Sequence, residues 1–345
     1  MQSELPILDR FKGLFLSLAA GGTLLLVLTF WSHPQKLPRE SDITSVEFSA
    51  DGKLLLGGTR EGELYLWSAD QNQTYVRENS PKLPQVEGSG PFNALALSPN
   101  GKFVVKAGKT LSMISIGLTG NKTEISTPDC SFGGTSISPN SKYFAATSST
   151  ERLLVWGPEN SIIPRELGVA DAGVYGATAF SPDSTRIVSA GHVLRVVELE
   201  SGKEQWVNPR DSYAYLAVAF RSDGKLLATG SQDTSIRLWE AETGKEISIL
   251  RGHKSYVSEL AFSPDGKKMV SWAEDGELLL WELSVAAPTH KLLGNTKGGA
   301  SFSPNGSWIV SGQSNKTIQF WDATTGEKAQ VLSTVGVATS PSPRR

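Results

Sequence analysis

His253, Ser271 and Asp275 are the residue types of a hydrolase triad, in which a histidine takes the serine proton and a carboxylate orients the ring. Gly108-Lys109-Thr110 has the closing residues of a phosphate-binding loop. That motif needs a glycine five positions before Gly108, and Phe103 stands there. No Gly-x-Ser-x-Gly nucleophile elbow occurs. Cys130 is the one cysteine, with no histidine near it in sequence, so disulfides and multi-thiolate zinc sites are excluded. The four histidines, His33, His192, His253 and His290, show no metal-ligand spacing. The Asp-Gly and Asn-Gly pairs lack the alternating carboxylates and closing Glu of a calcium loop and read as turn formers. No cofactor or metal is therefore expected.

The composition agrees. Among 345 residues, 33 Lys and Arg face 35 Asp and Glu, a net charge of −2. This excludes a disordered polyelectrolyte and a nucleic-acid binder that works by bulk basic charge. The remaining question is what scaffold holds these residues.

The scaffold is a repeat. Seven times, a short apolar strand ends in a large residue and is followed by a turn: SADGK (49–53), SPNGK (98–102), SPNSK (138–142), SPDST (181–185), RSDGK (221–225), SPDGK (263–267) and SPNGS (303–307). The residues before the turns are Phe48, Leu97, Ile137, Phe180, Phe220, Phe262 and Phe302. Nineteen residues beyond them, a third strand carries Trp67, Trp156, Trp239, Trp281 and Trp321; the second repeat has Ile116 there, and the shorter fourth has Val197. Each triplet is followed by a candidate outer strand, ending with Ala329–Leu332, so no strand need be borrowed from the N-terminus. Four strands per repeat describes a propeller blade. The expected fold is all-β: a seven-bladed propeller of four-stranded antiparallel blades over 42–332, preceded by one transmembrane helix.

The pattern resembles the WD-repeat (tryptophan–aspartate repeat) family. Gly252-His253, FSPDGK at 262–267 and Trp321-Asp322 carry the resemblance. The resemblance implies a buried network joining a third-strand Trp, a second-strand Ser or Thr, a Gly-His before the first strand and an Asp in the turn between second and third strands. Only the sixth blade matches throughout, with His253, Ser271, Asp275 and Trp281. The fifth keeps Thr229, Asp233 and Trp239 but has Asp211 for the His; the seventh keeps Ser311 and Trp321, with Asn315 for the Asp. The triad types are thus read as structural and the protein as non-catalytic. It is expected to bind protein partners on its loop faces, with no nucleic acid and no small-molecule substrate. Where the other Trp-bearing blades have Gly58, Thr147, Gly230 and Gly312, the sixth has Trp272. With Tyr256 and Tyr213 it either forms a partner-binding aromatic patch or plugs gaps between blades. A central-channel enzyme or ligand binder is the alternative; it requires several channel-facing carboxylates or histidines, whereas Val257–Phe262 is apolar apart from Ser258 and Glu259. A TolB-like periplasmic propeller has similar turns but not the Trp-Asp and Gly-His features.

Beyond the propeller, residues 1–12 form an N-terminal flank, and 13–31 carry no charge and span about 28 Å as a helix, close to the hydrocarbon core of a bilayer. Trp31 sits at the interfacial position. The run reads as an uncleaved single-pass anchor rather than a signal peptide, whose apolar region is shorter. Residues 32–41 read as a juxtamembrane linker and 333–345 as a disordered tail. Arg10 and Lys12 balance Lys36 and Arg39, so the positive-inside rule casts no vote on orientation.

Overall fold

The turn between the first two strands of each blade holds itself shut. In the sixth blade the Ser263 hydroxyl donates to Asp265 Oδ1 (2.6 Å) and accepts the Lys268 amide (2.9 Å), while Asp265 Oδ1 also accepts the Lys267 amide (3.0 Å). Gly266 supplies the left-handed backbone, φ 67°. These bonds hold the Asp265 carboxyl below its usual range. Ser49–Asp51, Ser138–Asn140 and Ser303–Asn305 repeat the clamp. The fifth blade has no serine here and uses the Arg221–Asp223 ion pair instead, at 2.6 Å.

The computed structural model describes residues 42–334, apart from 60–61, 71–73, 78–91, 109, 117–121, 126–130, 158–163, 170–175, 210, 286, 295 and 315. Among them are seven four-stranded antiparallel sheets, each with its strands in chain order. We call the strands a to d within a blade. The first blade runs from strand a at Ile43–Phe48 to strand d at Tyr75–Arg77, and the seventh from Thr296–Phe302 to Lys328–Ser333. The last blade thus supplies its own outer strand. It ends at Ser333, one residue beyond the sequence boundary, and the Thr334 amide donates to Lys316 O. Residues 335–345 and the expected flank, anchor and linker over 1–41 lie outside the described residues. Among the described residues no helix is long and apolar enough to cross a membrane.

The second blade corrects the sequence register. Val104, which follows Phe103 as Ile309 follows Trp308, pairs with Ile114, whereas Ile309 pairs with Trp321. Ile114, fully buried, therefore stands in the tryptophan position, not Ile116. The hairpin is two residues shorter because Gly108 ends strand b and Leu111 begins strand c, with the Gly108 amide donating to Thr110 O. This tight turn is where the phosphate-loop look-alike falls.

Seven turns link the blades into a ring. The Ala50 amide donates to Pro99 O (2.9 Å), Asn100 to Ser141 Oγ (3.2 Å) and Asn140 to Ser184 Oγ (3.2 Å). Gly224 packs on Pro182, Gly266 on Arg221, Gly306 on Pro264 and Gly52 on Pro304. The last contact joins the seventh blade to the first. At that seam Ile43, Val46 and Phe48 pack with Val310, Ile318, Phe320 and Leu332, and Lys316 pairs with Glu63 at 2.5 Å.

Gly312 lets the seam close. A Cβ there would lie 2.3 Å from Ile43 O and 2.8 Å from Gly298 O, both backbone atoms with nowhere to go. Gly312→Ala is expected to cost about 1–3 kcal/mol by overpacking and to lower the melting temperature. Gly157→Ala, whose Cβ would meet only Tyr143 at 3.8 Å, is the control and should melt like the parent. Equal melting of the two variants would show that the seam has slack.

Candidate functional site

His253 lies in the loop entering the sixth blade, Ser271 on its strand b (Lys268–Ala273) and Trp281 on strand c (Leu278–Glu282). Antiparallel pairing places Ser271 two residues past Met269, the strand partner of Trp281, so hydroxyl and indole reach one another. Trp281 Nε1 donates to Ser271 Oγ (2.7 Å), and His253 Nε2 lies 2.6 Å from the same oxygen. All three residues are buried. The hydroxyl is thus held between an indole and an imidazole inside the blade seam. Burial pushes His253 down to about 4, so the ring is neutral near pH 7. Asp275 completes the set differently from the implied network. It is exposed, and its Oδ1 accepts the Glu277 amide at 2.9 Å. The Nδ1 atom of His253 is buried without a hydrogen-bond partner.

The same position varies informatively around the ring. In the fifth blade Trp239 Nε1 donates to Thr229 Oγ1 (2.9 Å). Asp211, in the histidine position, instead accepts the Tyr215 hydroxyl (3.0 Å) and lies 3.6 Å from Arg237. Arg237 also pairs with Asp233 at 2.7 Å and Glu246 at 3.5 Å. In the seventh blade Trp321 Nε1 donates to Ser311 Oγ (2.9 Å), and Gln313 Nε2 donates to the same oxygen (2.8 Å). Gln313 is the donor that sequence reasoning missed. Asn315 lies outside the described residues. The third blade has Ala146 in the serine position, and Trp156 Nε1 is left buried and unpaired. The fourth keeps Ser189 but has Val197 for the tryptophan, and Ser189 Oγ is the unpaired atom.

The aromatic patch does not form as one surface. Trp272 is 8 % exposed and packs between the sixth and seventh blades with Leu280, Phe302, Ile309 and Trp321. The reason is positional. At the equivalent Gly230 and Gly312, a Cβ would lie 2.7 Å from Val257 O and 2.3 Å from Ile43 O on the next blade's inner strand. A side chain there points into the seam, not toward a face. The inner strand of the seventh blade bulges around Gly298 and Gly299. Tyr256 is half-buried, with its carbonyl accepting the Glu274 amide. Tyr213 is exposed at 52 %. Leu293, exposed at 66 % in the loop entering the seventh blade, was not singled out by sequence; only its apolar type in a turn-rich loop hinted at it.

Two carboxylates sit on inner strands. Glu47 Oε2 accepts the Leu97 amide of the second blade (2.6 Å), and Glu259 Oε2 accepts the Ala300 amide of the seventh (2.8 Å). Each spans to the next blade's innermost strand. Burial pushes both from 4.5 up to about 7.

A family model described as WD domain, G-beta repeat matches residues 26–68, 211–240, 244–282 and 287–322. The chain carries WD40 repeats and folds as a seven-bladed β-propeller. The matches fall on the first, fifth, sixth and seventh blades. The first begins at residue 26, inside the apolar run 13–31.

If Ser271 is structural, Ser271→Ala strands both Trp281 Nε1 and His253 Nε2. The expected loss is about 1–3 kcal/mol for each buried group left unsatisfied, read by denaturant unfolding. For Glu47, a raised folded-state value means stability present below 4.5 and lost as pH rises through about 7. Glu47→Gln keeps an acceptor for the Leu97 amide without the ionisation. It should melt a few degrees above the parent at pH 8 and level with it near pH 4.5. The same offset at both pH values would show that ionisation of Glu47 is immaterial.

Proposed function

We propose that the chain is a non-catalytic protein-interaction scaffold: a WD-repeat propeller held at a membrane by residues 13–31, binding protein partners on its loop faces. The observation that carries this reading is the engagement of the Ser271 hydroxyl. It is held by Trp281 and His253 within a seam, where a nucleophile would need access to substrate. A rigid ring that spends its polar chemistry internally leaves recognition to its loops. The loops entering the fifth, sixth and seventh blades open on one face, because every strand a runs in the same direction. They carry Tyr213, Tyr256 and Leu293 in succession. The channel reading is disfavoured because Glu47 and Glu259 are each committed to a neighbouring amide.

Membrane attachment rests on the uncharged run itself. The full-length protein should stay in the membrane pellet through carbonate extraction; release into the supernatant overturns the anchor. Capture of partners from detergent-solubilised membranes tests the face. Tyr213→Ala with Leu293→Ala removes two exposed side chains, so folding should be intact and capture should fall about tenfold or more, at ~1.4 kcal/mol per decade. Undiminished capture by the folded double variant would move the docking site to the opposite face or the rim.

A further inference from the structure

We infer that the outer strand of the fifth blade is a docking edge for an extended, basic segment of a protein partner, which adds to the sheet as a further strand. This strand, Glu246–Leu250, pairs with strand c on one side, and its other edge carries no strand among the described residues. Leu250 lies opposite Ile236, and both are buried against the sixth blade. Ile249 lies opposite Arg237, on the other face, and is 40 % exposed. Ile247 falls at a register shift, between Ser248 opposite Leu238 and Glu246 opposite Trp239, and is 56 % exposed. Trp206 of the fourth blade covers the adjoining turn, where its Nε1 donates to Ala241 O at 3.0 Å and its ring lies on Gly244. Two other outer strands are guarded. The sixth blade's, Ala287–Leu292, exposes Pro288 and Lys291, and the seventh's opens on Lys328. Proline and lysine keep a free edge from pairing. Glu246–Leu250 has neither, and among the described residues it is the outer strand with two exposed aliphatics. Branched aliphatics favour strand pairing.

Charge decides what can cover this edge. Residues 198–207 and 240–250 hold the c–d turns and outer strands of the fourth and fifth blades, and there six glutamates face two lysines. All six, Glu198, Glu200, Glu204, Glu240, Glu242 and Glu246, are exposed. The whole chain carries only −2, so this rim concentrates its negative charge. The arginines behind the rim leave the acids in excess. Arg195 pairs with Glu204 at 2.8 Å, and Arg186 donates to Ala241 O. Arg237 lies 3.5 Å from Glu246 but is shared with Asp211 and Asp233. A second copy of this edge would bring its own glutamates against these, and like charges facing across strands are destabilising. An anionic surface is repelled in the same way. A basic, extended segment answers both features: its main chain bonds the free edge, and its apolar side chains meet Ile247 and Ile249. The edge lies on the rim, apart from the loop face proposed above, so the two docking modes are independent.

The test uses the full-length protein in detergent and a short peptide of alternating lysine and valine. The controls are a peptide of alternating glutamate and valine and one that sets the same lysines among glycine and serine. The lysine–valine peptide should bind about tenfold or more tighter than either control, and added salt should weaken it. Amide hydrogen exchange should show residues 246–250 protected by that peptide, with Ala287–Leu292 of the sixth blade unchanged. Ile247→Thr with Ile249→Thr, both at exposed positions, should keep the melting temperature and weaken binding about tenfold. Glu240→Gln with Glu242→Gln should flatten the salt dependence. Equal binding of the glycine–serine peptide would reduce the attraction to charge alone and overturn the docking edge. So would protection elsewhere, or full binding by the folded isoleucine variant. Protection of 246–250 that grows with protein concentration and needs no peptide would give the edge to a second copy and overturn the basic partner.

Discussion

Neither face of a blade can meet water. Strand b is buried nearly end to end in every blade, as in Leu226–Ser231 and Phe144–Ser148. A four-stranded sheet with two apolar faces has no stable existence alone, so each blade depends on the one before and the one after. Closure of the seam between the seventh and first blades is therefore the constraint on which everything else rests. It is met by removal of side-chain volume at Gly298, Gly299 and Gly312, where any Cβ would strike the backbone of strand a in the first blade. Backbone-to-backbone approach of this kind cannot be relaxed by a rotamer change, and this makes the seam unforgiving.

Within that packing, the blades differ in how completely their buried polar groups are answered. The sixth blade holds one hydroxyl with an indole and an imidazole, the seventh with an indole and the Gln313 amide. The third and fourth blades show what happens when one half is lost. The third keeps the tryptophan without the hydroxyl, the fourth the serine without the tryptophan, and each leaves a buried orphan. An unanswered buried group costs on the order of 1–3 kcal/mol. The third blade sets against this the stacking of Trp156 on Phe144, with centroids 5.0 Å apart. The fifth blade keeps the Trp239–Thr229 bond and adds ion pairs of Arg237 with Asp211 and Asp233.

The blades, their strand order and the outer strand of the last blade were legible in the sequence because turn chemistry and alternation are local. Pro and Gly act within four residues, and a tryptophan marks strand c wherever hairpin length is constant. Where the hairpin shortens, counting from the turn fails, and Ile116 is read for Ile114. Trp272 illustrates a second limit. Its neighbours in the other blades are mostly glycine, which already signals a crowded seam, but the direction of the side chain depends on the next blade. The partners of Gln313, Glu47 and Glu259 are likewise set by strand pairing or by the adjacent blade. Asp275 was assigned to the network by its position in the turn, and its carboxylate is instead taken up by the Glu277 amide.

The four stretches that match the family model are not scattered when placed on the ring. The fifth, sixth, seventh and first blades are consecutive once the ring is closed, and the seam lies within that arc. Closing a ring of this length joins segments separated by most of the chain, and that entropy is recovered only when the final interface forms. Blades that match the family model thus stand on both sides of the closing interface. Away from the seam, the second and fourth blades lack the tryptophan and the third lacks the hydroxyl. The seventh and first blades meet where packing alone must hold the ring, and the first does so with Gly57 in the position that Ser271 and Ser311 hold in the sixth and seventh.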